Sequence, residues 1–370
     1  MKRLLLLLIM GSLVANTYAE EPKTLAIGAK APDFSLPGVD DKTYSLASFA
    51  KADVLVMVFT CNHCPTAQAY EDRLIRFTTD YKNKGVQVVA ISPNAPEAVS
   101  LDELGYSDLG DTFEEMKIRA SGKDYNFPYL YDGATQATAR AYGAVATPHV
   151  FIFDRSRTLR YIGRFDDVEK PTGKPNHNDA REAVEALLAG RPVANPTTKS
   201  FGCSIKWKDK TEWIQKTRER WAKEEVKLES INEESLRKLL KNDTDKLRVV
   251  NVWATWCGPC VVEFPDLVDT YRMYRGRDFD FVSITTDKPE AREKALKFLK
   301  SKQASNANYI LEGLDIYTFI ELVDPKWQGA LPYTLVIEPG GKVAYRKQGA
   351  VDLREFRRAI VDNAVIGRYY

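Results

Sequence analysis

Val249-Val250-Asn251-Val252-Trp253-Ala254-Thr255-Trp256-Cys257-Gly258-Pro259-Cys260 carries the reading of this chain. A nearly continuous apolar run of this length predicts a strand buried on both faces. It runs directly into two thiols three positions apart, at the start of a helical pattern that reaches Tyr274. Thiols at that spacing can close a disulfide. The helix dipole and the free N–H groups of the first turn favour the thiolate of the first one. Cys257 is therefore the expected attacking sulfur, and Cys260, one turn further in, the one that resolves a mixed disulfide. An inert disulfide or half of a zinc site is the competing use. Zinc needs a second ligand pair, and none of the three histidines stands near Cys257.

Outward from that stretch, Phe279 to Thr285 predicts a second strand, and Pro289 to Lys300 a helix capped at Thr286 and Asp287. Leu331-Pro332 precedes two strands, Tyr333–Glu338 and Lys342–Arg346, with Pro339-Gly340-Gly341 as the turn and a closing helix from Asp352 to Asn363. The first half repeats the order. Asp53 to Phe59 is a buried strand running into Cys61-Asn62-His63-Cys64-Pro65 and a helix to about Tyr81; Val86 to Ile91 is the next strand. Thr147-Pro148-His149 then precedes strands Val150–Asp154 and Leu159–Gly163, and a helix from Asp179 to Leu188 closes the half. From the second cysteine to the proline is 148 − 64 = 84 residues in one half and 332 − 260 = 72 in the other. The same order at different spacing predicts two copies of one α/β fold, not a short-period solenoid.

The 370 residues fit two or three domains. Hydrophobic residues at 44% and charged residues at 28% exclude a disordered, collagen-like or polytopic membrane protein. A net charge of +2 gives no sign of nucleic acid or an anionic surface as a partner. Lys2 and Arg3, the apolar run from Leu4 to Met10 and the small residues ending at Ala19 predict a cleaved export signal over residues 1–19. Its loss leaves 51 bases and 51 acids in a periplasmic or secreted protein, where close thiols become disulfides. The expected divisions are domains at 25–190 and 227–370. A linker at 191–226 carries Trp207, Trp213 and Trp221 in a charged segment whose expected use is packing onto either domain.

The segment from Val252 to Cys260 resembles thioredoxin. Its continuation Val261-Val262-Glu263-Phe264-Pro265 is similar to the TlpA/ResA-like secreted thiol-disulfide oxidoreductases. The resemblance covers about Lys227 to Tyr370. It implies a thioredoxin fold, a mixed central sheet flanked by helices, with Pro332 as the cis-proline facing the active-site sulfurs. Thioredoxin proper has an aspartate six residues before the first cysteine. Here Asn251 stands there and cannot accept a proton, and Glu263 matches the glutamate of the TlpA/ResA-like pattern. A thiol deprotonating inside a protein needs a base within reach, which gives Glu263 that role; an ordinary surface acid is the other reading.

In the first half, Ala31-Pro32-Asp33-Phe34-Ser35-Leu36 opens like the redoxin (AhpC/TSA, peroxiredoxin-related) domains, and Pro148 stands where their cis-proline would be. The peroxidase pattern is incomplete. Cys61 takes the threonine position three before the reactive cysteine, and Ala67 replaces the acid expected after Thr66. A thioredoxin-type exchanger at Cys61 and Cys64 is the expectation, ahead of a thiol peroxidase or an inert pair. His63 is read as an electrostatic neighbour of Cys61, not a metal ligand. It precedes the second cysteine, as in protein disulfide isomerase, which implies a more oxidising first domain. Cys203, in Phe201-Gly202-Cys203, leaves the cysteine count odd and is a reactive thiol, an intermolecular disulfide partner or a buried unreactive thiol. His149 and His177 carry no role.

The function expected is disulfide exchange with protein thiols and disulfides at Cys257–Cys260 and Cys61–Cys64. Pro332 and Pro148 shape the edges where substrate backbone docks. No organic cofactor, metal or nucleic acid is expected, and the partner is a membrane-bound or periplasmic redox protein. A peroxiredoxin-like thiol peroxidase and a non-catalytic binding module with structural disulfides are the alternatives.

Overall fold

The computed structural model describes residues 22–170 and 173–368. The expected export signal, with its cleavage after Ala19, lies outside them. Among the described residues, no helix is long and apolar enough to cross a membrane.

Two main sheets follow the two halves of the sequence. A small hairpin, β1 (Ser35–Pro37) and β2 (Thr43–Ser45), precedes the first. That sheet contains β3 (Val54–Phe59), β4 (Val86–Ser92), β5 (Tyr129–Tyr131), β7 (His149–Phe153) and β8 (Leu159–Gly163), in the order β5-β4-β3-β7-β8. The β3–β4 and β4–β5 pairs are parallel; β7 and β8 are antiparallel to their neighbours. Two short strands, β6 (Ala146–Thr147) and β9 (Cys203–Ser204), pair apart from it. The second sheet runs β10-β13-β12-β11-β14-β15. Its strands are β10 (Glu229–Ile231), β11 (Leu247–Trp253), β12 (Phe279–Thr285), β13 (Ala307–Leu311), β14 (Tyr333–Ile337) and β15 (Val343–Gln348). Each is a mixed sheet with helices on both faces.

The strand period of two sorts β3 between two cores. Val54, Val56 and Val58 face helices α1 (Pro65–Tyr81), α2 (Phe113–Gly122) and α4 (Asp179–Leu188), through Tyr70, Phe77, Met116 and Val184. Leu55, Met57 and Phe59 face the other way, onto α3 (Ala137–Tyr142), Phe34 and Phe49. Each such apolar side chain contributes about 1.5–3 kcal/mol on burial, which is why a run of six apolar residues becomes the centre of a sheet. Strand β11 repeats the pattern. Val250 and Val252 meet α6 (Glu233–Lys241) and α9 (Ile316–Val323); Leu247 and Val249 meet α7 (Gly258–Tyr274) and α10 (Leu353–Val361).

The segment expected as a linker divides between the halves. Ile205 and Trp207 are buried in the first core. After them, α5 (Glu212–Ala222) brings Trp221 under the guanidinium of Arg272 of α7, 4.9 Å away. Trp213 is exposed. The helix expected from Pro289 begins as a single 3-10 turn, Pro289–Ala291, and becomes α8 at Arg292–Ser301. Asp287 does not cap it. Its carboxylate instead accepts from the Thr255 backbone N–H and hydroxyl, at 2.9 and 2.7 Å, and so braces the loop before Cys257.

The halves also touch. Leu101 and Leu104 of the first pack on the core around α7, the Tyr274 hydroxyl donates to the Ser107 carbonyl at 2.8 Å, and Arg368 pairs with Asp108 at 2.8 Å. The segment that turns back from this contact ends at Asp111, in the first cysteine centre.

Candidate active site: two cysteine centres

In the second half, Cys257 is the N-cap of α7, with extended backbone (φ −86°, ψ 103°), and is disulfide-bonded to Cys260. Its sulfur accepts from the Cys260 N–H at 3.3 Å, one of the donors that a helix start leaves without an intrahelical partner. Cys260 is 1% exposed and Cys257 6%, beside Trp256, which is 68% exposed. Leu331-Pro332 is a cis peptide, and Leu331 packs against the cluster that holds both sulfurs. Among the described residues no strand pairs with residues 329–331.

Glu263 is buried, which excludes the surface-acid reading. It lies three residues after Cys260 on α7, so both side chains share one face of the helix. One carboxylate oxygen accepts from the Val351 N–H at 3.0 Å. The other is 3.4 Å from the side-chain nitrogen of Asn251, which also donates to Thr334 at 3.0 Å. Burial pushes the carboxyl up from its ordinary value, against those two hydrogen bonds.

The first centre is built in a different register. Phe59 pairs with His149, the residue after cis-Pro148, as Val252 pairs with Tyr333, the residue after cis-Pro332. Counting five residues on, from 59 and from 252, reaches Cys64 and Cys257. Both are helix N-caps with extended backbone. Cys61 therefore matches Ala254, and Ala67 matches Cys260. The Cys61–Cys64 pair is not superposed on Cys257–Cys260; it is displaced by three residues toward the strand. Cys64, not Cys61, therefore holds the helix start, and the analogy drawn for His63, which needs the first cysteine of the pair there, does not carry over. His63 precedes the N-cap sulfur, not a resolving one. Pro65 carried the signal: proline at the first helical position is favoured, and it keeps the preceding residue out of helical conformation.

Cys61, Cys64 and Cys203 are free thiols and form one cluster with Ala67. Cys61 Sγ lies 3.3 Å from the Thr147 hydroxyl, and the Cys64 thiol points at the Thr147 carbonyl, 3.2 Å away. Cys203 arrives on β9, paired with Thr147 itself. A buried ion pair closes the other side, where His63 Nδ1 and Asp111 Oδ2 are 2.5 Å apart. Asp111 Oδ1 accepts from the Asn62 and His63 backbone N–H groups at 2.8 and 3.2 Å, and Asn94 Nδ2 donates to Oδ2 at 2.7 Å.

Burial opposes the Cys64 thiolate. The thiols of Cys203 and Cys61, the charge of His63 and the Ala67 backbone outweigh it and hold Cys64 well below its usual value. Burial, Cys64 and Asp111 drive Cys61 the other way. The interaction with Cys64, then burial, raises Cys203. Against its own burial, Asp111 raises His63. Sequence reasoning named His63 but missed Asp111 and Asn94, which arrive from 48 and 31 residues away with no local pattern to announce them. His149 is buried, and burial lowers it to about 4. Cys61, His63 and Asp111 have donor atoms within 4.8 Å of one another. The His63 and Asp111 atoms, though, are already paired with each other.

Residues 27–162 and 220–346 match the family model described as AhpC/TSA family. The chain belongs to the AhpC/TSA family. The two AhpC/TSA segments take in both cysteine pairs and leave Cys203 between them. A thiol-disulfide oxidoreductase ResA of Geobacillus thermodenitrificans is 22% identical over 192 residues, 50% of this chain and 94% of that protein. That of Bacillus subtilis is 30% identical over 94 residues, 25% of this chain, and the match spans about half of it, 48%. Among solved structures, a hypothetical protein from Sinorhizobium meliloti is 37% identical, covering 50% of this chain and 96% of that one, with a TM-score of 0.45.

Proposed function

We propose that this chain is an exported thiol–disulfide oxidoreductase that acts on protein partners through Cys257 and Cys260. The observation that carries the reading is the Cys257–Cys260 disulfide at the start of α7, with Cys257 as the N-cap beside exposed Trp256; among the described residues no strand pairs with the backbone before Pro332. Support comes also from membership of the AhpC/TSA family and from the name of the ResA relatives.

In the reducing direction, the Cys257 thiolate attacks one sulfur of a partner disulfide, and the other sulfur leaves as thiolate. Cys260 then gives up its proton and attacks Cys257 in the mixed disulfide. The second partner thiolate departs, and the Cys257–Cys260 disulfide forms. Two electrons pass from the cysteine pair to the partner. Glu263, buried on the same helix face and held by Val351 and Asn251, takes the Cys260 proton. Leu331-Pro332 offers backbone to an extended partner segment. A periplasmic or membrane-bound dithiol protein returns the pair to the reduced form.

Insulin disulfide reduction with dithiothreitol as electron donor tests this. The full chain should be active and Cys257→Ser inactive, and a Cys260→Ser chain, reduced and then freed of dithiothreitol, should accumulate a covalent mixed disulfide with the substrate. A Cys257→Ser chain that keeps its activity would transfer the function to the first centre.

A further inference from the structure

We propose that Cys64 and Cys203 are the redox couple of the first half, a disulfide in which Cys203 is the sulfur a partner thiol reaches and Cys64 the sulfur that leaves. The proposal rests on the reading of the chain as a disulfide exchanger but concerns a different site. Neither sulfur is paired with the other by the Cys-x-x-Cys pattern.

Three observations carry it. Cys64 occupies the N-cap that Cys257 holds in the second half, while Ala67 stands where Cys260 would resolve it, so the partner of Cys64 must come from elsewhere. The strand before Pro148, Ala146–Thr147, is paired antiparallel with the chain's own residues Cys203–Ser204, whereas among the described residues no strand pairs with the backbone before Pro332. A cysteine is thereby presented where an extended partner segment would lie. Gly202 makes the approach possible. Its φ is +139°, and a Cβ there would fall 2.1 Å from the Thr147 carbonyl oxygen. Beyond Cys203 the strap is fixed. The Lys206 N–H donates to the Asn94 side chain at 2.9 Å, its carbonyl accepts from the Ala95 N–H and from Gln136 at 3.0 and 2.8 Å, and Ile205 and Trp207 are buried.

Exposure sets the direction of the exchange. Cys64 is 0% and Cys61 3% exposed, whereas Cys203 is only half-buried, so an incoming protein thiol meets Cys203. A partner thiolate attacks the Cys203 sulfur of the Cys64–Cys203 disulfide, and the bond breaks with Cys64 leaving as thiolate. The partner's second thiol then attacks the mixed disulfide, releasing the partner as a disulfide and Cys203 as a thiol. The partner loses two electrons and the couple gains two. A disulfide such as oxidised glutathione restores the couple by the reverse route. A stabilised thiolate is the better leaving group, and the environment of Cys64, with His63 above it and the helix start behind it, supplies that stabilisation.

The test uses the full chain carrying Cys257→Ser and Cys260→Ser, oxidised with glutathione disulfide, quenched in acid, alkylated and mapped under non-reducing conditions. A Cys64–Cys203 peptide pair with Cys61 alkylated is expected. Adding Cys61→Ser should leave that pair in place. Adding Cys64→Ser should instead increase glutathione bound at Cys203 at least tenfold, since Cys64 is the sulfur that resolves it. A Cys61–Cys64 disulfide with free Cys203, equally abundant with and without Cys203, would overturn the proposal. This outcome is independent of insulin turnover at Cys257, so failure here and failure of the broader reading are distinguishable.

Discussion

Phe59-to-Cys64 and Val252-to-Cys257 are the same step from strand to helix, yet the sulfurs around them are arranged differently. In the second half the N-cap cysteine is joined to a cysteine one turn into its own helix, and among the described residues no strand pairs with the backbone before Pro332. In the first half the corresponding turn carries Ala67. A second thiol sits on the strand side, a third arrives on a separate strand, and a buried His63–Asp111 pair stands beside them. One Cys-x-x-Cys spacing thus serves two placements. The helix start, not the spacing, decides which sulfur receives the dipole and the free N–H groups.

The largest effect that would separate the two centres follows from Asp111→Asn. The change leaves His63 buried without its anion and removes a carboxylate that accepts three hydrogen bonds. A loss of about 3 kcal/mol of stability is expected, the lower end for breaking a buried pair. The pH dependence has a definite sign. Asp111 is held low, so its contribution is present above the ordinary aspartate range and fades as pH falls through its folded value. His63 is held high, so its contribution is full below the ordinary histidine value and fades as pH rises through its folded value. The gap between wild type and variant in urea unfolding should therefore be widest between about pH 4 and 6.5. A gap that does not vary with pH would mean that the pair is not ionised.

A smaller effect should open the first edge and make it resemble the second. Gly202→Ala places a methyl group against the Thr147 carbonyl in a backbone conformation that disfavours side chains. About 2 kcal/mol should be lost, and iodoacetamide should modify Cys203 at least tenfold faster. Unchanged Cys203 reactivity would show that Gly202 does not hold the strap in place.

The smallest effect concerns Glu263→Gln, which touches only the second centre. Disulfide exchange at Cys257–Cys260 should slow about tenfold, or about 1.4 kcal/mol, with its pH profile losing the limb due to the carboxylate. Stability shifts in the opposite sense from Asp111. A carboxyl raised by burial destabilises the fold as pH rises past its unfolded value, so the variant should gain on wild type with increasing pH. Equal pH–rate profiles would leave Glu263 a structural acceptor for Val351.

Much of the architecture was legible in the sequence because its signals are local. The apolar runs at Val54–Phe59 and Val249–Trp253, the helices ending at Tyr81 and Tyr274, and the strand at Leu159–Gly163 follow from periodicity and burial alone. Strands β10 and β13 escaped notice because Glu229-Ser230-Ile231 has no apolar alternation to mark it. It becomes a strand only by pairing with Tyr309–Leu311. Asp287 reads as a helix cap from its neighbours but is drawn instead to Thr255, across the sheet end.

The sequence by itself determined that two α/β units each carry a cysteine pair where a buried strand meets a helix, with a proline loop opposite. Each of those features is written in a few consecutive residues. Only the tertiary structure decided that Cys64 and not Cys61 is the helix N-cap, in the place of Cys257, that Asp111 pairs with His63, and that Cys203 returns to lie on Thr147. Each of these depends on strand register or on contacts between segments 48 to 139 residues apart in the chain. Such contacts exist only once the two faces of β3 are buried and the chain is forced back over the same end of the sheet.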